Sequence, residues 1–188
     1  MYTTSVSLLE RLRRPAEQEA GWKRFVQLYT PLLFHWSRKL GLSADDAADL
    51  VQEVLTLLVQ KLPEFNYDER RSFRGWLRTI TLNKWRDYRR RRQLPREPGG
   101  ATLVEVEGPD GAAAFEEAEY RRHLVKQALE LMQAEFQPVT WKACWEYMIA
   151  DRPAGEVARE LGISVNAVYL AKSRVLGRLR QELAGLLD

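Results

Sequence analysis

The stretch from Phe73 to Arg92 puts aromatic rings, an asparagine amide and many guanidinium groups on one expected helix. These groups suit non-covalent contact with nucleic acid. Rings stack on unpaired bases, worth roughly 1–3 kcal/mol per base in single-strand binders. Asparagine reads base edges. Arginine and lysine hold phosphates and make affinity fall with salt. Trp76, Trp85 and Tyr88 are the candidate stacking rings, although Trp76 can equally be core beside Leu77 and Ile80. Asn83, Lys84, Asp87, Arg90 and Arg91 are expected to be exposed on either reading.

A second nucleic-acid signal lies at Pro153–Arg180. Pro153 suits a first helical turn, where its missing N–H costs nothing. Val157, Ala158 and Leu161 give that helix an apolar side, and Ala158 is small enough for a second helix to approach. Gly162 allows a tight turn, Ile163 plugs the junction and Ser164 caps the next helix. Val168 and Val175 then face inward, leaving Asn166, Tyr169, Lys172, Ser173, Arg174 and Arg178 to face out. This is the pattern of a helix-turn-helix whose second helix enters a major groove. A plain helical hairpin is the alternative.

A third element is acidic. Asp45, Asp49, Gln52 and Glu53 share one polar face of an expected helix. That face is readable as a solvated helix start, a protein docking surface, or a magnesium site. The last needs carboxylates from a second helix, and the following helix is basic.

Charge is segregated along the chain, whose net charge is only +3 in 188 residues. Residues 70–96 carry eleven basic groups and one acidic group, while residues 97–120 carry no basic and seven acidic groups. So dense a basic block repels itself unless it meets a polyanion. The single cysteine, Cys144, excludes an intrachain disulfide and a cysteine zinc cluster, and it is expected in the core. The two histidines, His35 and His123, are far apart in sequence, so neither is expected to serve catalysis or a metal. No apolar run approaches the length of a membrane span, and no secretory leader is evident. A cytoplasmic location is expected.

The elements that must position these groups read as all-α, with apolar spacing of three and four throughout. Residues Ala16–Leu40 are expected to form one or two helices, kinked or divided at Pro31, burying Trp22, Phe25, Val26, Tyr29, Leu32, Leu33 and Trp36. Ser43 caps a helix from Ala44 to about Leu62, and Ser72 one ending near Arg92. Pro, Gly and Ala residues make 93–114 a flexible acidic linker. Further helices follow from about Phe115 to Glu135, from Pro138 to about Ala150, and in the terminal pair. Two small helical domains result, 1–92 and 115–188.

With the three elements in this order, the chain resembles the compact extracytoplasmic-function (ECF) sigma factors of bacterial RNA polymerase, in the sigma-70 family. Asp49-Leu50-Val51-Gln52-Glu53-Val54 resembles that family's polymerase-docking helix. Ser72–Leu77 through Asn83 and Asp87 to Arg92 resembles its promoter-melting, −10-reading helix, and Pro153–Arg180 its −35 reader. The resemblance implies that Asp49, Gln52 and Glu53 touch the core polymerase. It implies that Asn83, Lys84 and Asp87 help hold a flipped −10 base, with Trp76 and Arg78 nearby; Arg90 and Arg91 complete the expected −10 and melting set. The exposed side of Val165–Arg178 would lie in the −35 groove. The implied partners are core polymerase and promoter DNA, with an anti-sigma factor as a further class of partner. No enzyme activity, cofactor, metal or membrane insertion is implied. The rivals are a free-standing helix-turn-helix regulator binding duplex DNA without polymerase, and a magnesium-dependent nucleotide hydrolase using Asp45, Asp49 and Glu53.

Overall fold

The computed structural model describes residues 7–65, 72–93 and 116–187. Eight α-helices run through them: α1 (Leu8–Arg13), α2 (Gln18–Lys39), α3 (Ala44–Lys61), α4 (Phe73–Gln93), α5 (Glu117–Met132), α6 (Pro138–Met148), α7 (Ala154–Leu161) and α8 (Val165–Glu182). No strand occurs among the described residues, and the chain is all-α. The expected linker lies outside the described residues, apart from Gln93, which ends α4.

Local chemistry sets the helix starts. Ser43 accepts a hydrogen bond from the Asp46 amide, Ser72 from the Gly75 amide and Ser164 from the Ala167 amide, each at 3.1 Å. Asp45 and Asp46 occupy the first turn of α3, where negative charge suits the helix dipole. Helix α1 was not foreseen. It carries a capping box between Ser7 and Glu10 but buries only Leu8 and Leu12, too few side chains to show a period.

Helix α2 is the centre of the fold. It continues unbroken through Pro31 rather than dividing there. Pro31 and Gln27, whose carbonyl loses its helical partner, are both exposed, so water can satisfy that carbonyl. Val26, expected inside, is 38% exposed, and Leu28 is buried instead. The buried stripe Phe25, Leu28, Tyr29, Leu32, Leu33 and Trp36 meets Leu50, Val54 and Leu58 of α3 and Phe73 and Leu77 of α4. Each such side chain contributes about 1.5–3 kcal/mol on full burial.

The same core takes in Tyr120, Leu124, Ala128 and Met132 of α5, with Leu183 and Leu186 beyond α8. The two halves of the chain thus share one core. Polar contacts fix the match. The Tyr120 hydroxyl donates to the Leu186 carbonyl at 2.7 Å. Its proton is spent there, so the Tyr29 hydroxyl, 3.0 Å away, must donate to the Tyr120 oxygen. Glu182, 1% exposed, receives Arg24 at 2.6 Å, Arg178 at 2.7 Å and Arg11 at 3.3 Å. Burial alone would raise its carboxyl pKa, but hydrogen bonds from Arg24 and Arg178 outweigh that and hold it below the ordinary value.

A smaller core joins α6, α7 and α8 through Ala143, Cys144, Val157, Ala158, Val168, Ala171 and Val175. Gly162 turns the chain between α7 and α8 at φ +65°, a left-handed conformation that suits glycine. Cys144 is buried as expected, and burial pushes its thiol pKa up.

Candidate functional site

Helices α3 and α4 lie side by side and bring two predicted sets together. Asp49, Gln52 and Glu53 of α3 line one groove with Lys84, Tyr88, Arg91 and Arg92 of α4. Asp49 and Gln52 are exposed. One guanidinium nitrogen of Arg91, Nη2, donates to both carboxylate oxygens of Glu53 at 2.8 and 2.9 Å, with Lys84 at 3.7 Å. Arg92 holds Asp46 at 2.7 and 2.9 Å. The Tyr88 hydroxyl, then Ser43 and Arg92, keep the Asp46 carboxyl below its ordinary range. Burial, reinforced by Asp46, pushes the Tyr88 hydroxyl up to about 12. Cations of α4 thus stand where a magnesium reading of the acidic face would need a second set of carboxylates.

The other predicted groups of α4 divide by depth. Asn83 and Arg90 are exposed, and Arg90 pairs with Asp87 one turn earlier. Arg78 is half-buried. The rings are less available than the sequence suggested. Trp76 is half-buried against Phe65 and Phe73, at centroid distances of 4.7 and 5.6 Å. Trp85 and Tyr88 pack on the larger core, and Arg89 and Arg92 lie over their faces at 4.9 and 5.0 Å.

On α8, Asn166, Tyr169, Ser173 and Arg174 are exposed on the first half of the helix, and no carboxylate pairs with Arg174 among the described residues. Lys172 is half-buried, its ammonium 5.4 Å from the centre of the Tyr147 ring. The Tyr169 ring meets that same tyrosine edge-on at 5.6 Å. Arg178 stands apart from this group. It is half-buried and turned to Glu135 at 2.9 Å and Glu182 at 2.7 Å.

Two features escaped the sequence reading. A groove lined by Leu129, Phe136, Trp141 and Trp145 opens between α5 and α6, and Trp145 is 44% exposed. The two histidines also come together. His35 of α2 and His123 of α5 have ring centroids 4.5 Å apart, and Glu119 accompanies them. Folding across the α2–α5 contact makes this cluster, so no local spacing announces it.

Residues 25–94 match the family model of Sigma-70 region 2. The RNA polymerase sigma factor NccH of Alcaligenes xylosoxydans xylosoxydans is 32% identical over 98% of this chain and 97% of its own length. The RNA polymerase sigma factor CnrH of Cupriavidus metallidurans is 31% identical over 81% of this chain and 78% of its own. A solved structure of CnrH in complex with the cytosolic domain of CnrY aligns over 92% of each chain at 24% identity, with a TM-score of 0.37. That score is too low to equate the two helix arrangements. No helix among the described residues is long and apolar enough to cross a membrane. Sequence identity over nearly the whole chain, with the region 2 match, places this chain in the sigma-70 family of bacterial RNA polymerase sigma factors, in its extracytoplasmic-function group.

Proposed function

We propose that the chain binds core RNA polymerase through Asp49, Gln52 and Glu53 and directs initiation by reading a −10 element with α4 and a −35 element with α8. It acts in the cytoplasm, where the polymerase is. Residues 1–92 form the docking and melting unit, 115–188 the −35 unit, and 93–114 the link between them. In the first unit, Asn83, Lys84 and Asp87 hold the extruded −10 base, Trp76 and Arg78 flank it, and Arg90 and Arg91 take phosphates. In the second, Asn166, Tyr169, Ser173 and Arg174 face base edges and backbone, with Lys172 as an outlying phosphate contact, while Arg178, though on the same helix, is engaged by Glu135 and Glu182.

Binding energy alone performs this work. Base extrusion costs a few kcal/mol. Stacking and hydrogen bonds to the captured base, with the polymerase contacts, offset it. The observation that supports the reading most is the uncovered polar side of α8's first half, where Asn166, Tyr169, Ser173 and Arg174 are all exposed. The reading admits an anti-sigma protein as regulator, and pull-down with the tagged chain from its source cells would identify one.

Reconstitution tests the proposal. The purified chain is mixed with bacterial core polymerase and a promoter library, and run-off transcripts are sequenced. Transcripts sharing one −35/−10 pattern, and absent without the chain, are expected. Tight duplex binding with no transcript and no complex with core polymerase would favour the free-standing regulator instead.

A further inference from the structure

The chain's two histidines meet across the contact between its N- and C-terminal halves. His35 comes from α2. Glu119 and His123 sit four residues apart on α5, which puts both on one face of that helix. The ligand-type atoms of the three side chains all lie within 4.8 Å of one another. The His35 Nε2 atom is 2.7 Å from a Glu119 carboxylate oxygen, and Lys39 holds the other oxygen at 2.6 Å.

An ordinary ion-pair network would explain His35, Glu119 and Lys39, but it does not account for His123. The Nε2 atom of His123 is buried and has no hydrogen-bond partner. A buried ring nitrogen is seldom left so, because desolvation costs it free energy that nothing returns. Burial first, then the neighbouring His35, lowers the pKa of the His123 ring from 6.5 and favours the neutral form. The neutral ring can offer a lone pair.

We propose that His35, Glu119 and His123 form a binding site for one divalent first-row transition-metal ion of the zinc type. Two imidazole nitrogens and one carboxylate oxygen, with the remaining position left to water, are a donor set that zinc accepts. Imidazole ligands disfavour magnesium and calcium, which take oxygen. Metal–ligand bonds of about 2.0–2.2 Å put donor atoms roughly 3.4 Å apart in a tetrahedral site. The His35–Glu119 pair, at 2.7 Å, must therefore open by several tenths of an ångström, while donor pairs near the 4.8 Å limit must close by roughly 1.4 Å. Binding releases any proton that His35 Nε2 holds, and the Glu119 oxygen exchanges its contact with His35 for the metal. Lys39 remains on the second oxygen and orients the carboxylate, as outer-shell partners do at metal sites. Lys39, with Arg122 and Lys126 nearby, sets the affinity below that of a site without cations. A bound ion would clip α5 to α2 in the arrangement described. The site does not depend on the polymerase reading.

The test uses the tag-free full chain. Cobalt(II) is titrated while visible absorption is followed, and zinc(II) binding is measured by calorimetry. The expected result is one cobalt ion per chain, displaced by zinc, with affinity reduced at least tenfold in His35→Gln and in His123→Gln. Cys144→Ser should bind as the parent does. Zinc should also raise the melting temperature of the parent but not of His123→Gln, whose circular dichroism reports whether it has folded. If His123→Gln does not fold, His35→Gln and Glu119→Gln carry the comparison. No uptake by the folded parent at a several-fold excess of metal, or uptake that both histidine variants retain, would overturn the proposal.

Discussion

Helices α4 and α8 carry the two predicted DNA-reading faces, and they dispose of their cations differently. In α4 the first half sinks Phe73, Leu77 and Ile80 into the core and the basic end is open, but acids of α3 pair with two arginines of that end. Arg91 is on Glu53 and Arg92 is on Asp46. In α8 the first half is open and no acid meets Arg174 among the described residues, whereas Arg178 on the second half is tied to Glu135 and Glu182. A basic run in a sequence therefore does not measure a basic surface. What counts is where the carboxylates of neighbouring helices fall. Partners approaching α4 must exchange existing ion pairs, while partners approaching the start of α8 need not.

The strongest way to break the comparison is at the locked end of α8. Glu182→Gln leaves Arg11, Arg24 and Arg178 around a neutral amide in a site where the native carboxylate is buried. Losing one partner of a buried ion pair costs about 3 kcal/mol or more. Because these arginines are partly exposed, we expect about 3 kcal/mol by urea unfolding. The pH dependence has a definite sign. The folded carboxyl lies below its ordinary 4.5, so its contribution is fully present above that value and is lost as pH falls through the lower folded value. The stability gap between parent and variant should be flat from neutral pH to about pH 5.5 and shrink below about pH 4.5. A gap under about 0.5 kcal/mol at neutral pH would mean that water screens these charges as it does on a surface.

A second test addresses the open end of the same helix. Arg174→Ala should weaken duplex binding by about 1–2 kcal/mol, roughly tenfold, if the guanidinium meets a base edge or phosphate. The salt slope of the remaining affinity separates the two contacts. A phosphate contact lowers the slope by about one and a base contact leaves specificity relaxed at one position. Fluorescence anisotropy across a salt series reads both. Arg178→Ala should change stability more than DNA binding. The reverse order would return Arg178 to the reading face and undo the contrast between the two ends of α8.

These contrasts also mark what could be read from the chain alone. Helices α3, α4, α7 and α8 were legible because each announces itself locally: a serine caps α3, α4 and α8, while Pro153 and Gly162 bound α7, and each carries an apolar period. Ser43, Ser72, Ser164 and Gly162 all perform the backbone roles their types suggest. What escaped depends on distant pairs. Nothing near Glu182 in sequence signals that Arg11 and Arg24 meet it, or that Tyr29 donates to Tyr120. The rings of α4 show the same limit. Their helical spacing fits a stacking face and a core stripe equally well, and contacts with Phe65 and the α2–α3 core decide the matter for much of their surface.

The smallest expected effect sharpens the comparison most, because it would make the end of α4 behave like the start of α8. Glu53→Gln removes the carboxylate shared by Arg91 and Lys84. Both cations and the carboxylate are partly exposed, so the pair contributes within about 1 kcal/mol, and helix content should not change. Freed from that carboxylate, Arg91 and Lys84 become available to phosphate. Binding of the isolated chain to single-stranded DNA should rise about two- to threefold at low salt, and the gain should vanish at about 1 M salt, where screening acts within roughly 3 Å. Binding to core polymerase should fall, since Glu53 is assigned to that contact. Opposite movements in the two assays would separate a carboxylate that docks polymerase from one that only neutralises α4. If DNA binding rises and polymerase binding is unchanged, Glu53 serves the second purpose alone, and the docking assignment passes to Asp49 and Gln52.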